Sequence, residues 1–266
     1  MITFPNAKIN LGLNVVSRRP DGYHNLETVF YPINLCDALE FVPAVKTSLN
    51  IAGLPVSGDI EQNLVVRAFR LLQRDFQLPE LEIALLKNIP MGAGLGGGSA
   101  DAAFMLKMVN EHFLLNLSVE QLEHYASKLG ADCPFFIRNK PIFAAGIGNE
   151  FRSLEVSLKG YYLVLVKPDV HVSTAEAYAH VACQRWNVPL MEVMAMPLEK
   201  WREYLFNDFE ISVFEIHPEL AVIKQYLYDT GAVYAAMSGS GSTLYGIFKT
   251  KPELNFADSR VFTLDL

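Results

Sequence analysis

Pro90-Met91-Gly92-Ala93-Gly94-Leu95-Gly96-Gly97-Gly98-Ser99-Ala100 carries the strongest signal in this chain of 266 residues. Five of its 17 glycines fall in these eleven positions, a clustering that background composition does not produce. A strand-like run, Leu81–Leu86, precedes the segment. A helix opening at Ser99 follows it, with Ala102, Leu106, Val109 and Phe113 on one face. Glycine lets a ligand come close to the backbone, and the first N–H groups of a helix lack internal partners and carry the positive dipole end. Loop and helix start together predict an anion site suited to phosphate. The alternative is a glycine-rich turn and nothing more. A Walker loop needs Gly-Lys-Ser/Thr, and Gly97-Gly98-Ser99 lacks the lysine. Gly92, Gly94 and Gly97 satisfy GxGxxG, yet Pro90 interrupts the approach from the strand and no second strand with an acidic end follows the helix. A protein-kinase glycine loop joins two strands, whereas this one opens a helix. The loop is expected at the surface, where a side chain at Gly97 would obstruct phosphate and spare the fold.

Upstream, Ile9, Leu11, Leu13 and Val15 alternate with Lys8, Asn10, Gly12 and Asn14, which predicts a strand with one buried and one polar face. Lys8 and Asn10 share the polar face, where a lysine is ordinarily solvated. Arg19-Pro20-Asp21-Gly22 is a turn, and strand-like runs follow over Glu27–Leu35 and Ala38–Pro43. Asn63–Phe76 reads as a helix with Leu64, Val65, Ala68, Leu71 and Leu72 as its apolar stripe. Downstream, Ser118 with Gln121 forms a capping box, and Gly130 is the expected left-handed stop of that helix. Ala131-Asp132-Cys133-Pro134 leads into a strand-like Phe135–Ile137. The pattern restarts near residues 148–158. Tyr161–Val166 is an apolar strand, Ser173 with Glu176 caps a helix, and another helix runs from Pro218 to Gly231. Strands Val233–Met237 and Thr243–Phe248 flank Ser238-Gly239-Ser240-Gly241. Strands cluster early and do not alternate strictly with helices, so the fold class is α+β rather than a doubly wound sheet.

Hydrophobic residues make up 51% of the chain, which excludes disorder. The 22 Lys and Arg against 29 Asp and Glu give a net charge of −7, which argues against a nucleic-acid binder. Cys36, Cys133 and Cys183 are odd in number and lie far apart, which disfavours disulfides and thiolate zinc and predicts small buried hydrophobes in a reducing cytoplasm. No apolar run approaches the ~18 residues of a membrane span.

The stretch Pro90–Ala103 resembles the second signature of the GHMP kinases, the superfamily of galactokinase, homoserine kinase and mevalonate kinase. Further segments narrow the resemblance: Ala7-Lys8-Ile9-Asn10-Leu11, Arg19–His24, Gly130–Phe135 and Met237–Gly241. Together they are similar to a branch acting on a cytidine diphosphate ester of methylerythritol in non-mevalonate isoprenoid synthesis. The resemblance implies an N-terminal α+β, ATP-binding lobe (1–152), a ferredoxin-like C-terminal lobe (153–266) and an active site between them. It implies ATP and Mg²⁺, and a small-molecule substrate phosphorylated on its tertiary 2-hydroxyl. A cytoplasmic enzyme is expected, a monomer or weak homodimer without nucleic-acid or membrane partners.

Asp132 would accept the proton of the attacking hydroxyl, and in the family Lys8 pairs with it. On residue type alone Asp132 is equally a turn former. Pro90 to Ala100 would hold ATP. Ala100 stands where many members have a second serine. Asn10, Tyr23, His24, Thr174 and Tyr178 would bind substrate, the aromatics by stacking on cytosine and His24 at its edge. Tyr23 and His24 also read as a surface aromatic and a solvated histidine, Tyr178 as a core tyrosine, and Thr174 as a capping-box residue only. Gly239 and Gly241 would support the phosphate site, or make a plain hairpin turn. Magnesium would rest mainly on phosphates and water, with the Ser99 hydroxyl as one protein ligand and no carboxylate. The alternatives are another GHMP small-molecule kinase, such as homoserine or mevalonate kinase, and a non-enzymatic nucleotide-binding module. The first lacks a base for Tyr23 and His24 to read, and the second has no use for both Lys8 and Asp132.

Overall fold

The computed structural model describes residues 1–266 other than 57, 180, 182, 184, 185, 255 and 257. In chain order the strands are β1 Ile2–Thr3, β2 Asn6–Arg18, β3 His24–Cys36, β4 Ala38–Ala44, β5 Ser48–Gly53, β6 Glu80–Lys87, β7 Ile142–Ala145, β8 Glu150–Ser153, β9 Tyr162–Pro168, β10 Tyr234–Met237, β11 Leu244–Phe248 and β12 Ser259–Asp265. The helices are α1 Leu64–Asp75, α2 Gly97–His112, α3 Val119–Ser127, α4 Cys133–Arg138, α5 Thr174–Ala179, α6 Leu190–Met194, α7 Leu198–Tyr204, α8 Phe209–Ile216 and α9 Pro218–Asp229. The class is α+β, and the chain forms two compact units, neither continuous in sequence.

The first unit comprises Met1–Ala7, Leu35–Met91 and Gly96–Lys140. Its sheet has the order β1-β4-β6-β5, with β6 antiparallel to β4 and parallel to β5. In β6 the two-residue period buries Leu81, Ile83, Leu85 and Lys87 and exposes Glu82, Ala84 and Leu86, so a lysine shares the inner face with three aliphatic residues. Asn63 caps α1 by accepting from Val65 N at 2.9 Å, and α1 buries Val65, Val66, Ala68, Phe69 and Leu72.

Three expectations change here. Helix α2 begins at Gly97 because Gly96 adopts φ +70° and turns the chain, leaving Ser99 inside the first turn. Helix α3 ends in short bonds, Lys128 N to Tyr125 O and Leu129 N to Ala126 O, so Gly130 is not needed as a left-handed stop and is absent from the positive-φ glycines. The run Phe135–Ile137 is helical, since Pro134 presets the first turn of α4 and all three residues are buried. A short, fully buried apolar run has no period by which to tell strand from helix.

The second unit comprises Lys8–Asn34, Gly92–Leu95 and Pro141–Leu266. One of its sheets runs β2-β3-β7-β8. The other runs β10-β11-β9-β12, is antiparallel throughout and follows the ferredoxin-like strand order. Val164, Val166, Leu13, Val15, Phe209, Val213, Leu220 and Leu227 meet in the core of this unit. Strand β2 departs from expectation. Its polar set is buried as well, with Lys8 3%, Asn10 2% and Asn14 7% exposed, because the strand is covered on both faces. The cysteines are free and differ in setting: Cys133 is buried, Cys36 is half-buried at the end of β3, and Cys183 is exposed. Among the described residues no helix is long and apolar enough to cross a membrane.

Candidate active site

In the second unit, burial forces the polar residues of β2 to find partners. Lys8 Nζ donates to Asn10 Oδ1 at 2.5 Å and to the Gly94 carbonyl at 3.1 Å, and lies 5.1 Å from the centre of the Phe30 ring. The Lys8 amide donates to Leu95 O at 3.0 Å. Residues Gly92–Leu95 of the glycine segment are thus tied directly to the strand that carries Lys8. Ser238 Oγ also donates to Gly94 O, at 2.8 Å, and the Asn10 amide donates to Ser238 Oγ at 3.3 Å. Gly94 has φ +75°, and a Cβ there would collide with the Ser238 carbonyl. Gly239 lies against Asn10 Oδ1, which a Cβ would approach to 3.3 Å. Lys8, Asn10, Gly94 and Gly239 therefore form one cluster. Gly241, with φ +88°, lies with its Cα side against the Met237 side chain.

Asn207 and Glu210 hold this cluster from behind, and sequence reasoning missed both. The Asn207 side-chain amide donates to the carbonyls of Met237 and Gly239, each at 2.8 Å, and its Oδ1 accepts from Phe209 N at 3.0 Å. Glu210 accepts from Met237 N at 2.7 Å and from Lys224 Nζ at 2.5 Å, and burial pushes its carboxyl up in pKa against the pull of Lys224. No local pattern marks an asparagine whose partners lie 30 and 32 positions away.

The proposed substrate aromatics also meet in this unit. The rings of His24 and Tyr178 stack with centroids 4.9 Å apart and an interplanar angle of 21°. Phe209 braces Tyr178 edge-on at 4.7 Å. Tyr23 is 64% exposed and presents an open ring beside them in sequence. Thr174 is the first residue of α5 and is exposed. The capping bonds of α5 come from Ser173 and Glu176, at 3.1 and 3.4 Å.

The first unit holds the rest of the glycine segment. A cavity of about 190 Å³ has apolar walls from Leu49, Ile51, Leu64, Leu85 and Met91, with Gly98 on its lining. That is on the order of a single ring system rather than a drug-sized ligand. The 16-residue helix α2 starts at this cavity and supplies the unpaired N–H groups expected of an anion site. Gly97 does not lie at the surface. It is buried, and a Cβ there would come within 2.8 Å of Ile89 Cγ2, so a valine would disturb the core as well as any ligand. Gly98 is the cleaner probe, its nearest neighbour being Leu64 Cδ1 at 3.7 Å. On the expectation that this segment holds ATP, Gly98→Ala should weaken ATP binding by roughly tenfold, about 1.4 kcal/mol, with an unchanged melting temperature. Unchanged affinity by calorimetry would remove Gly98 from the nucleotide site.

On the lining of the same cavity Lys87 Nζ bonds Asp101 Oδ2 at 2.7 Å, and Lys87 also pairs with Asp37, all three side chains being buried. Burial, partly opposed by Lys87 and reinforced by Asp37, pushes the Asp101 carboxyl up to about 7. Asp132 stands at the N-cap of α4 and is half-buried. The Cys133 thiol beside it is pushed up to about 11 by burial, in spite of a hydrogen bond with Ser99.

The comparisons with known proteins agree with this architecture. Residues 63–140 match the GHMP kinases N terminal domain, and residues 192–261 match the GHMP kinases C terminal. A solved homoserine kinase from Cytophaga hutchinsonii has the same fold, with TM-score 0.69 at 17% identity over 98% of this chain and 95% of that one. The chain belongs to the GHMP kinases. It is 57% identical over 262 residues to 4-diphosphocytidyl-2-C-methyl-D-erythritol kinase of Bacteroides fragilis, covering 97% of this chain and 96% of the relative. The enzyme of that name from Parabacteroides distasonis is 56% identical over 263 residues, 99% of this chain and 96% of its own. A crystal structure of 4-(cytidine 5'-diphospho)-2C-methyl-D-erythritol kinase superposes with TM-score 0.78 at 32% identity, over 93% of this chain and 90% of that one. Within the superfamily, its family is that of the 4-diphosphocytidyl-2-C-methyl-D-erythritol kinases.

Proposed function

We propose that this kinase transfers the γ-phosphoryl group of ATP to the 2-hydroxyl of 4-diphosphocytidyl-2-C-methyl-D-erythritol, in the cytoplasm. The stacked pair His24 and Tyr178 carries the reading beyond the superfamily, because homoserine and mevalonate bring no base to such a pair. The cytosine stacks on Tyr23 and Tyr178 while His24 reads its edge, with Thr174 as a neighbouring contact. Since His24 already covers one face of Tyr178, base entry displaces its ring or extends the stack. ATP lies along Pro90 to Ala100, with its base in the cavity beside Gly98 and its phosphates at the start of α2. Gly239 and Gly241 support the phosphate site from the Ser238 turn. Residues 1–152 serve as the ATP-binding domain and 153–266 as the second domain.

Phosphoryl transfer asks for positioning, charge neutralisation and a proton acceptor. Asp132 takes the proton of the attacking hydroxyl. Lys8, aligned by Asn10 and Gly94, supplies positive charge to the reacting groups. Magnesium, when bound, neutralises phosphate charge. Among the described residues no group of three or more His, Cys, Asp or Glu could hold a metal ion. The ion rests mainly on phosphate oxygens and water, with the hydroxyl of Ser99, in the first turn of α2, as a protein contact.

The test is an ADP-release assay across acceptors. The cytidyl ester should turn over with kcat/KM at least about 10³-fold above homoserine and mevalonate, a gap of ~4 kcal/mol. Comparable turnover of the three acceptors would defeat the reading.

A further inference from the structure

Thr28 belongs to no glycine motif and to none of the substrate contacts above, yet it is 1% exposed and bonded to Asn10 of the Lys8 cluster and to Gly12. Its Oγ1 stands 2.6 Å from the Gly12 carbonyl and 2.9 Å from Asn10 Nδ2. A carbonyl oxygen has no proton to give, so the one hydroxyl proton of Thr28 must lie on the Gly12 contact. Thr28 Oγ1 is then an acceptor only toward Asn10. That fixes which end of the Asn10 amide faces it: the NH₂ must point to Thr28, and Oδ1 must point away, toward Lys8 Nζ at 2.5 Å. The opposite amide orientation would set two N–H groups against an ammonium and an oxygen against a hydroxyl oxygen that has no proton left to donate. Side-chain amides are otherwise easily reversed, since their two ends have nearly the same shape.

We infer that Thr28 is a positioning residue for phosphoryl transfer: by giving its only proton to Gly12 it sets the polarity of the Asn10 amide, and Asn10 Oδ1 in turn holds the Lys8 ammonium in place. The relay runs Gly12, Thr28, Asn10, Lys8 and lies wholly within β2 and β3. It rests on the proposed role of Lys8 in the reaction. A methyl in place of the hydroxyl keeps the volume of the side chain and removes both bonds, which leaves the Asn10 NH₂ without its acceptor and the amide held from the Lys8 end alone.

The experiment compares wild type, Thr28→Val and Thr28→Ser. Thr28→Val should lower kcat by about tenfold or more, since small misplacements at a reacting centre cost one to two orders of magnitude. KM for ATP should stay within about twofold, because no nucleotide contact is touched. Thr28→Ser keeps the hydroxyl and should recover most of the loss. A residue that served packing alone would give the reverse order, since valine matches threonine in volume and serine does not. The second readout needs no turnover. The Asn10 side-chain NH₂ signals, assigned by their loss in Asn10→Ala, should exchange slowly with solvent in wild type and Thr28→Ser and fast in Thr28→Val. Thr28→Ala replaces the valine variant should that one fail to fold. Wild-type kcat in Thr28→Val, serine as damaging as valine, or unchanged Asn10 exchange would each overturn the inference. A wild type that does not phosphorylate the cytidyl ester would bring down the functional reading instead, and the exchange measurement would still decide the role of Thr28.

Discussion

Asp132→Asn should lower kcat for the cytidyl ester by about 10²–10⁴-fold while ATP still binds. The amide has the shape of the carboxylate but cannot take up the proton of the attacking hydroxyl. The backbone around it is held by Pro134 and by the edge-to-face pair Phe135 and Phe136, with centroids 4.8 Å apart, so the substitution should leave the site's geometry alone. Lys8→Ala should do comparable damage. It also leaves Asn10 Oδ1 and Gly94 O without their ammonium donor, so its melting temperature should fall. In the proposed mechanism both residues serve the same transfer, so the double variant should be no slower than the poorer single one. Steady-state kinetics with calorimetric ATP binding separates these outcomes. Near-normal turnover in Asp132→Asn would place the base elsewhere.

Much of this arrangement is legible in the chain because short-range rules govern it. The alternation from Ile9 to Val15, the capping boxes at Ser118 and Ser173, and the glycine segment each announce a local geometry that the structure contains. Alternation says nothing of what covers a strand's second face, however, and so Lys8 reads as solvated when it is 3% exposed. The same limit hides Thr28, Asn207 and Glu210, whose importance comes from partners 16 to 32 positions away. The C-terminal strand β12 escapes notice because it pairs with β9, nearly a hundred positions earlier, and its own burial pattern is irregular. Gly97 shows a further kind of error. Glycine clustering identifies a loop built for close approach, but it does not show that Gly97 is also packed against Ile89 of the same unit, so that a side chain there would disturb the core.

Lys87→Met should cost the fold about 3–5 kcal/mol, the usual effect of removing one partner from a buried ion pair, against a total stability of roughly 5–15 kcal/mol. The ammonium stands between two carboxylates on the inner face of β6. Asp37 Oδ1 accepts from the amides of Asn88 and Ile89 at 2.6 and 2.8 Å, which leaves Lys87 to meet its other oxygen. Among the described residues Lys87 is the cation that meets Asp101, through Oδ2, while Oδ1 accepts no hydrogen bond there. Methionine has similar length and no charge, so the variant leaves both carboxylates facing each other without a cation. The pH dependence identifies the cause. In the wild type the Asp101 carboxyl titrates near 7 when folded, above its ordinary value of 3.8. The folded state therefore keeps a proton that the unfolded chain releases between those values, and stability from this group is present at low pH and lost as pH rises through 7. Without Lys87 that carboxyl is pushed higher still. The stability deficit of Lys87→Met, read from urea midpoints, should accordingly grow between pH 5 and pH 8. Adding Asp101→Asn removes the ionisable group and should recover part of the loss at pH 8 and little at pH 5. A deficit that does not change with pH would mean that methionine packs badly in the space of the lysine, and that the charges are not what the fold depends on there.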